Sequence, residues 1–138
     1  MNKILGILWD YDGTLFNTAN KNIEVTIEVL KHFDKEIEKH LPEALTSYEK
    51  YQEANHKYKN WQELYIKAYN IKEEDLNYAG SLWTPEQKKN KTEPLIFDRI
   101  PELIKDLKQY KMAICSQNGK EIIKSTLKNI ILKNTLMQ

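Results

Sequence analysis

A short apolar run near the start of the chain ends on two carboxylates, and this feature constrains the fold more than any other. Residues 3–9 form that run, which is typical of a parallel strand buried on both faces. Asp10 and Asp12 come directly after it, and Gly13 and Thr14 then begin a turn. Because ligands bind at the carboxyl ends of strands in open α/β sheets, the sequence predicts a ligand site here.

The composition is that of an ordinary soluble globular protein. The chain has 138 residues, of which 41% are hydrophobic and 30% are charged, so we expect one compact unit, with a small subdomain as an alternative. Its formal net charge of +1 gives no electrostatic reason to expect nucleic acid or a membrane surface as a partner. No apolar run approaches the roughly 20 residues that span a bilayer. The single cysteine cannot form an internal disulfide, which favours a cytoplasmic location.

A long helical region separates the first strand from the rest of the chain. Two stretches have apolar residues at helical spacing, namely Ile23, Ile27, Leu30 and Phe33, and then Trp61, Leu64, Tyr65, Ala68 and Tyr69. Asn60 is placed to cap the second stretch, with Glu63 three residues on. Pro42 is expected to open a helix between the two. The polar, lysine-rich stretch Thr84–Pro94 is predicted to be a connecting loop.

The alternation of strands and helices resumes after this insert. Pro101 begins a short amphipathic helix, and residues 111–116 form a second apolar strand that ends on Ser116. A turn then leads into another helix, whose apolar residues are Ile122, Ile123, Leu127, Ile130 and Ile131. The order is therefore strand, helical insert, helix, strand, helix. Such an order predicts an α/β fold with a parallel sheet and right-handed crossovers.

The spacing of the two acids suits phosphoryl transfer through a covalent aspartyl intermediate. Along an extended chain, Asp10 and Asp12 point to one side and Tyr11 points to the other. Gly13 permits a tight turn whose N–H groups can hold an anion, and Thr14 adds a hydroxyl. A plainer interpretation stays open, because a strand followed by an Asp-Gly turn needs no catalytic role.

The end of the second strand is also open to more than one interpretation. The Ser116 hydroxyl can contact a phosphate, or it can cap the helix that follows. The Asn118 amide lies close by in sequence. Cys115 is expected to pack in the core rather than to act as a nucleophile.

Taken together, these segments resemble the haloacid dehalogenase-like hydrolase superfamily. The matching residues are Asp10-Tyr11-Asp12-Gly13-Thr14-Leu15, Ile100-Pro101-Glu102-Leu103-Ile104 and Ile114-Cys115-Ser116-Gln117-Asn118-Gly119. The sequence is most similar to the capped small-molecule phosphatases and phosphomutases, such as the phosphoglycolate phosphatase and β-phosphoglucomutase groups. The resemblance implies a Rossmann-like core of residues 1–15 and 95–138, with an inserted α-helical cap of residues 16–94.

The resemblance also implies a role for each matching residue. Asp10 is the implied nucleophile, and Asp12 protonates the leaving oxygen and then activates water. Mg²⁺ is the implied cofactor, held by the Asp10 side chain and the Asp12 carbonyl. The implied phosphate-binding residues are Gly13, Thr14, Ser116 and Asn118. An acid at position 12 favours a phosphatase or phosphomutase over a dehalogenase, so the implied substrate is a small phosphorylated metabolite.

The sequence departs from the family pattern near its end. Members carry a lysine, usually near a Lys-Pro pair, and an acidic pair at the end of a further strand. Residues 133–138 contain no Lys-Pro pair and no acidic pair. We therefore expect a C-terminally truncated core with little turnover. Residues 3–9 would present an open apolar edge, which predicts pairing with a second copy or a complementing chain. The alternatives are a non-catalytic remnant and a half-enzyme completed by a partner.

Overall fold

The computed structural model describes residues 3–136, and the side chains of residues 3–129. The chain divides into two compact units, one made of Met1–Thr18 with Glu93–Gln138 and the other of Ala19–Thr92. The assignment of residues 16–94 as a cap stays a prediction, because a compact unit is not by itself a cap. The predicted helix side chains at positions 130 and 131, and the last two residues of the predicted core, lie outside the description.

The first unit contains two pairs of strands. β1 (Gly6–Asp10) pairs with β4 (Lys111–Cys115) in parallel along the whole length of both, so that their carboxyl ends lie at one edge. β2 (Phe16–Asn17) and β3 (Leu95–Ile96) form a short antiparallel pair. The parallel sheet, accompanied by six helices in the described residues, confirms the predicted α/β fold class.

One face of the parallel sheet is covered by helices within residues 3–129. α5 (Ile100–Asp106) and α6 (Lys120–Leu136) contribute side chains to the cluster on the face that carries Trp9 and Ile114. The most buried members of this cluster are Tyr11, Leu15 and Phe16. On the opposite face, Leu8 is 76% exposed and Cys115 is exposed too. The predictions of a strand buried on both faces and of a core cysteine are therefore wrong, because both helices pack on the same face.

The second unit is helical. Its α-helices are α1 (Ala19–Lys31), α2 (Tyr48–Lys57), α3 (Trp61–Tyr69) and α4 (Leu76–Lys89), and 3-10 turns lie at Ile37–Lys39, Glu43–Leu45 and Glu73–Asp75. Their apolar faces share one core, whose larger buried side chains are Val29, Leu30, Leu45, Leu64, Tyr65 and Tyr69. The two predicted helices are thus confirmed, but Phe33 lies after the end of α1 and Trp61 is 40% exposed. Between residues 3 and 136, the search for a helix of sufficient length and apolarity to cross a bilayer finds none.

Capping side chains explain where two of these helices begin. Asn60 caps α3 as predicted, since its Oδ1 accepts a hydrogen bond from the Glu63 N–H at 2.9 Å. α2 begins later than predicted. Its cap is Ser47, whose hydroxyl accepts from the Lys50 N–H at 3.2 Å, and Pro42 precedes a short 3-10 turn instead.

The loop predicted at Thr84–Pro94 is wrong in its first half, because α4 continues to Lys89 and includes Pro85. The reason lies in tertiary contacts. Glu86 is only 6% exposed, and its carboxylate contacts the imidazole of His32 at 3.2 Å and the ammonium of Lys89 at 2.8 Å. Such contacts outweigh the weak helix propensity of a polar segment that contains proline.

Candidate active site

Asp10 and Asp12 flank a buried tyrosine at the carboxyl end of β1. Asp10 is the last residue of the strand, opposite Cys115 of β4, and it is exposed. Asp12 lies in the turn that follows and is half-buried. Tyr11 is 2% exposed and packs in the core. The three side chains therefore alternate in the way that an extended chain dictates.

Tyr11 anchors this turn to the core. Its hydroxyl donates a hydrogen bond to Thr126 Oγ1 at 2.9 Å, and its ring centroid lies 4.7 Å from that of Phe16. Burial raises the pKa of Tyr11, and the negative charge of Asp12 adds to this effect, whereas the hydrogen bond with Thr126 opposes it. The hydroxyl is therefore kept protonated, as a donor must be.

The Asp12 carboxylate is held by a donor on each of its oxygens. Thr18 Oγ1 donates to Oδ1 at 2.6 Å, and Asn118 Nδ2 donates to Oδ2 at 2.5 Å. Thr18 is itself buried. Hydrogen bonds to an ionised acceptor are stronger than neutral ones, so the two donors together fix the direction in which this carboxylate points.

Asn118 joins the ends of the two parallel strands. Its Nδ2 lies 3.2 Å from Ser116 Oγ, and its N–H donates to the same oxygen at 3.0 Å. Asp12, Asn118 and Ser116 therefore form a continuous hydrogen-bonded series. The structure thus brings together residues from the two separate motifs. The amide of Asn118 donates to Asp12 here, and its predicted contact with phosphate stays a prediction.

Gly13 and Thr14 shape the turn between the two acids and the rest of the unit. Gly13 has a φ of 75°, and a Cβ added there would meet nothing within 4 Å. Its N–H donates to the Phe16 carbonyl at 2.8 Å, so in this conformation the N–H is used inside the turn. The Thr14 hydroxyl lies 3.5 Å from Asp10 Oδ2, at the long limit of a hydrogen bond. The site therefore depends on Gly13 for its left-handed backbone.

Two threonines in this arrangement were not expected from the sequence. Thr18 follows Asp12 by six positions, across a turn whose path no periodicity indicates. Thr126 is 115 positions from Tyr11, so their contact depends on how α6 packs. A hydroxyl shortly after an Asp-Gly turn was the one local signal for Thr18, because short polar side chains often hydrogen-bond within such turns.

A groove of about 620 Å³ lies on the covered face of the sheet. Its polar lining consists of Ser116, Asn118, Lys120 and Lys124. Most of the remaining lining is apolar and includes Trp9, Ile104, Met112, Ile114, Ile123 and Leu127. Ser116 and Asn118, which belong to the hydrogen-bonded series described above, thus also line this groove.

The oxygen atoms of the acids fit a hard cation such as Mg²⁺. Asp10 presents an exposed carboxylate, and each carboxylate oxygen of Asp12 accepts one hydrogen bond and keeps a further lone pair. Within the described side chains, no three His, Cys, Asp or Glu residues cluster as a metal site. Mg²⁺ commonly binds through one or two carboxylates together with water and substrate phosphate, so a small donor set suits it.

Comparison with known proteins identifies a family. Residues 7–137 match the family model described as haloacid dehalogenase-like hydrolase. The match includes both strand ends and the whole helical unit between them. No curated protein matches the chain.

Proposed function

Because the chain belongs to the haloacid dehalogenase-like hydrolase family, we propose that it is a phosphatase-type hydrolase that acts on a small phosphorylated metabolite. The supporting observation is the hydrogen-bonded series from Asp12 through Asn118 to Ser116. It lies at the carboxyl ends of β1 and β4, and Asp10 is the last residue of β1 and is exposed. This arrangement suits a site in which two carboxylates and a hydroxyl serve one phosphoryl group.

Asp10 is the proposed nucleophile. One of its carboxylate oxygens attacks phosphorus and the P–O bond to the alcohol breaks. Asp12 enters this step as the protonated acid and gives its proton to the departing oxygen. Water then attacks the phosphorus of the aspartyl-phosphate, and Asp12 takes a proton from that water. Inorganic phosphate leaves, and both carboxyl groups return to their starting states. Carbon–halogen hydrolysis produces no alkoxide that needs a proton, so the held acid at Asp12 favours a phosphate ester.

Neutral donors are proposed to hold the phosphate oxygens. Ser116 offers its hydroxyl, and Thr14 offers a second one next to Asp10. Gly13 and Asn118 complete the proposed set. Gly13 permits the turn whose N–H groups face the phosphate, and Asn118 contributes its side-chain amide. Mg²⁺, held by the Asp10 carboxylate and the Asp12 carbonyl, would supply positive charge to the phosphoryl oxygens.

The helical unit is assigned the role of a cap in this proposal. Caps in enzymes of this kind exclude water during the reaction and select the substrate, and such closure is a common function of mobile elements. We expect the reaction to take place in the cytoplasm. A phosphomutase would need the same first step and would differ in the acceptor of the phosphoryl group.

A half-enzyme completed by a second chain is the other candidate. Two features of β1 favour it. Among the described strands, β1 pairs only with β4, so its other edge has no strand partner, and its Leu8 side chain is exposed. Under this candidate, the polypeptide of residues 1–138 binds a phosphoryl group at Asp10, and steady turnover needs the second chain.

Beryllofluoride, a mimic of a phosphoryl group, tests the proposal. With Mg²⁺ present, we expect fluorine NMR to detect a bound adduct that is lost in Asp10→Asn and retained in Asp98→Asn, a control at an exposed acid of the same unit. No adduct in the unaltered protein would contradict the proposal. Hydrolysis of p-nitrophenyl phosphate then separates the two candidates, since steady turnover that Asp10→Asn abolishes excludes the half-enzyme.

A further inference from the structure

A phosphoryl group in the proposed site faces an excess of negative charge. Asp10 is a carboxylate, Asp12 becomes one once it has given up its proton, and a phosphate monoester carries between one and two negative charges near neutral pH. The proposed partners at Ser116 and Asn118 are neutral donors. Because like charges at short range repel one another, a cationic side chain at this edge of the sheet would favour binding.

Lys120 is positioned to supply that charge. It begins α6, two positions after Asn118, and it lines the same groove as Ser116 and Asn118. Its side chain is exposed, and no residue in the described part of the chain forms an ion pair or hydrogen bond with it. The ammonium group can therefore turn toward a bound anion without breaking a contact of the folded protein.

Lys124 offers a close comparison on the same helix. It also lines the groove, but it lies four residues further along α6, which is about 6 Å along the axis of a regular helix. Like Lys120, it is exposed. The two lysines therefore differ chiefly in their distance along the helix from Ser116.

We infer that Lys120 binds the phosphoryl group of the substrate and offsets the charge of the two aspartates. The inference rests on the proposed function, and it adds a residue to which the sequence motifs assign no role. The lysine ammonium is a compact, strongly hydrated point charge on a flexible stem, so it can contact a phosphate oxygen without a fixed bidentate geometry.

The test measures the affinity of the Mg²⁺-loaded protein for beryllofluoride by titration, followed by fluorine NMR. We expect Lys120→Ala to weaken binding about tenfold, and Lys120→Arg to stay within about threefold of the unaltered protein. Lys124→Ala, the matched control, should change the affinity by less than about twofold. Because salt screens exposed charges, the difference between Lys120→Ala and the unaltered protein should shrink as salt is added.

The other outcomes distinguish a failure of the role of Lys120 from a failure of the proposed function. If the unaltered protein forms the adduct and Lys120→Ala binds it equally well, the role of Lys120 is wrong and the proposed function stands. The same conclusion follows if Lys124→Ala weakens binding as much as Lys120→Ala does. If the unaltered protein forms no adduct, the proposed function fails and the inference fails with it. Circular dichroism and a urea melt should match for all variants, because both lysines are exposed.

Discussion

At the residue scale, two buried tyrosines show how much a single hydrogen bond contributes. Tyr11 donates to Thr126 at 2.9 Å, whereas the hydroxyl of Tyr69 is buried without a hydrogen-bond partner among the described residues. Burial is the main cause of a raised pKa in both tyrosines. A buried hydroxyl with no partner has lost its hydration without compensation, so the two side chains should respond differently to the same change.

Replacing each tyrosine with phenylalanine tests this difference. Tyr11→Phe should lower the free energy of unfolding by about 1 kcal/mol, because it removes a satisfied hydrogen bond. Tyr69→Phe should leave that free energy unchanged or raise it by up to about 1 kcal/mol, because it removes a polar group buried without a partner. Urea denaturation measures both values. The account is wrong if Tyr69→Phe is the more destabilising of the two.

Some residue positions in the candidate site follow from the sequence, and others do not. The alternation of Asp10, Tyr11 and Asp12 was predictable because a strand has a side-chain period of two. The hydrogen bond that Thr18 donates to Asp12 and the one that Thr126 accepts from Tyr11 were not predictable. Each depends on the path of a turn or on the packing of a segment distant in sequence. Neighbouring residues determine local geometry, whereas tertiary packing determines which side chain lies opposite another across the core.

At the scale of elements, the start of α5 carries a strained residue. Arg99 precedes the helix with a φ of 66°, in the left-handed region that favours glycine. Asn70, which ends α3 with a φ of 60°, lies in the same region, but asparagine tolerates that conformation far better. The two positions therefore share a backbone conformation and differ in its expected cost.

Substitution by glycine at both positions measures the strain. Arg99→Gly should raise the free energy of unfolding by about 1 kcal/mol, because glycine adopts this conformation without a steric penalty. Asn70→Gly, the matched control, should change it by less than about 0.5 kcal/mol. A loss of stability in Arg99→Gly would mean that the arginine side chain contributes more than its backbone costs.

The sequence predicted helices better than it predicted their ends and the coverage of the sheet. α3 was predictable because both its apolar stripe and its cap at Asn60 are local signals. The continuation of α4 through Pro85 was not, because the burial of Glu86 decides it. The open face of the sheet was missed because an apolar run does not say how many faces are covered.

At the scale of the whole molecule, the first unit exposes an apolar surface around β1. Leu5 is 79% exposed and Leu8 is 76% exposed, and Ile4 beside them is also largely exposed. Within the part of the chain that is described, β1 has a strand partner on one side only. Open strand edges with apolar side chains favour pairing with another chain.

We expect a second copy of this chain to cover that surface. Sedimentation velocity should detect a dimer whose population rises with protein concentration, and Leu8→Lys should shift the equilibrium toward monomer. Tyr78→Lys, at a side chain 52% exposed in the helical unit, is the control and should leave the equilibrium unchanged. A protein that stays monomeric at every concentration would contradict this expectation.

The order of elements was predictable from the sequence at this scale, because strands alternating with helices leave few topologies. The residues at the two strand ends resembled a known family, and the match over residues 7–137 confirms that family. The substrate was not predictable, because no single residue pattern in the helical unit specifies a ligand.

A crystal structure of the protein with Mg²⁺ and beryllofluoride tests the central claim most directly. The claim is that Asp10, Asp12 and Ser116 serve one phosphoryl group. The account predicts beryllium bonded to a carboxylate oxygen of Asp10, a fluorine within hydrogen-bond distance of Ser116 Oγ, and the Asp12 carboxylate beside it. Beryllofluoride bound elsewhere, or bound at Asp10 with Ser116 out of reach, would contradict it.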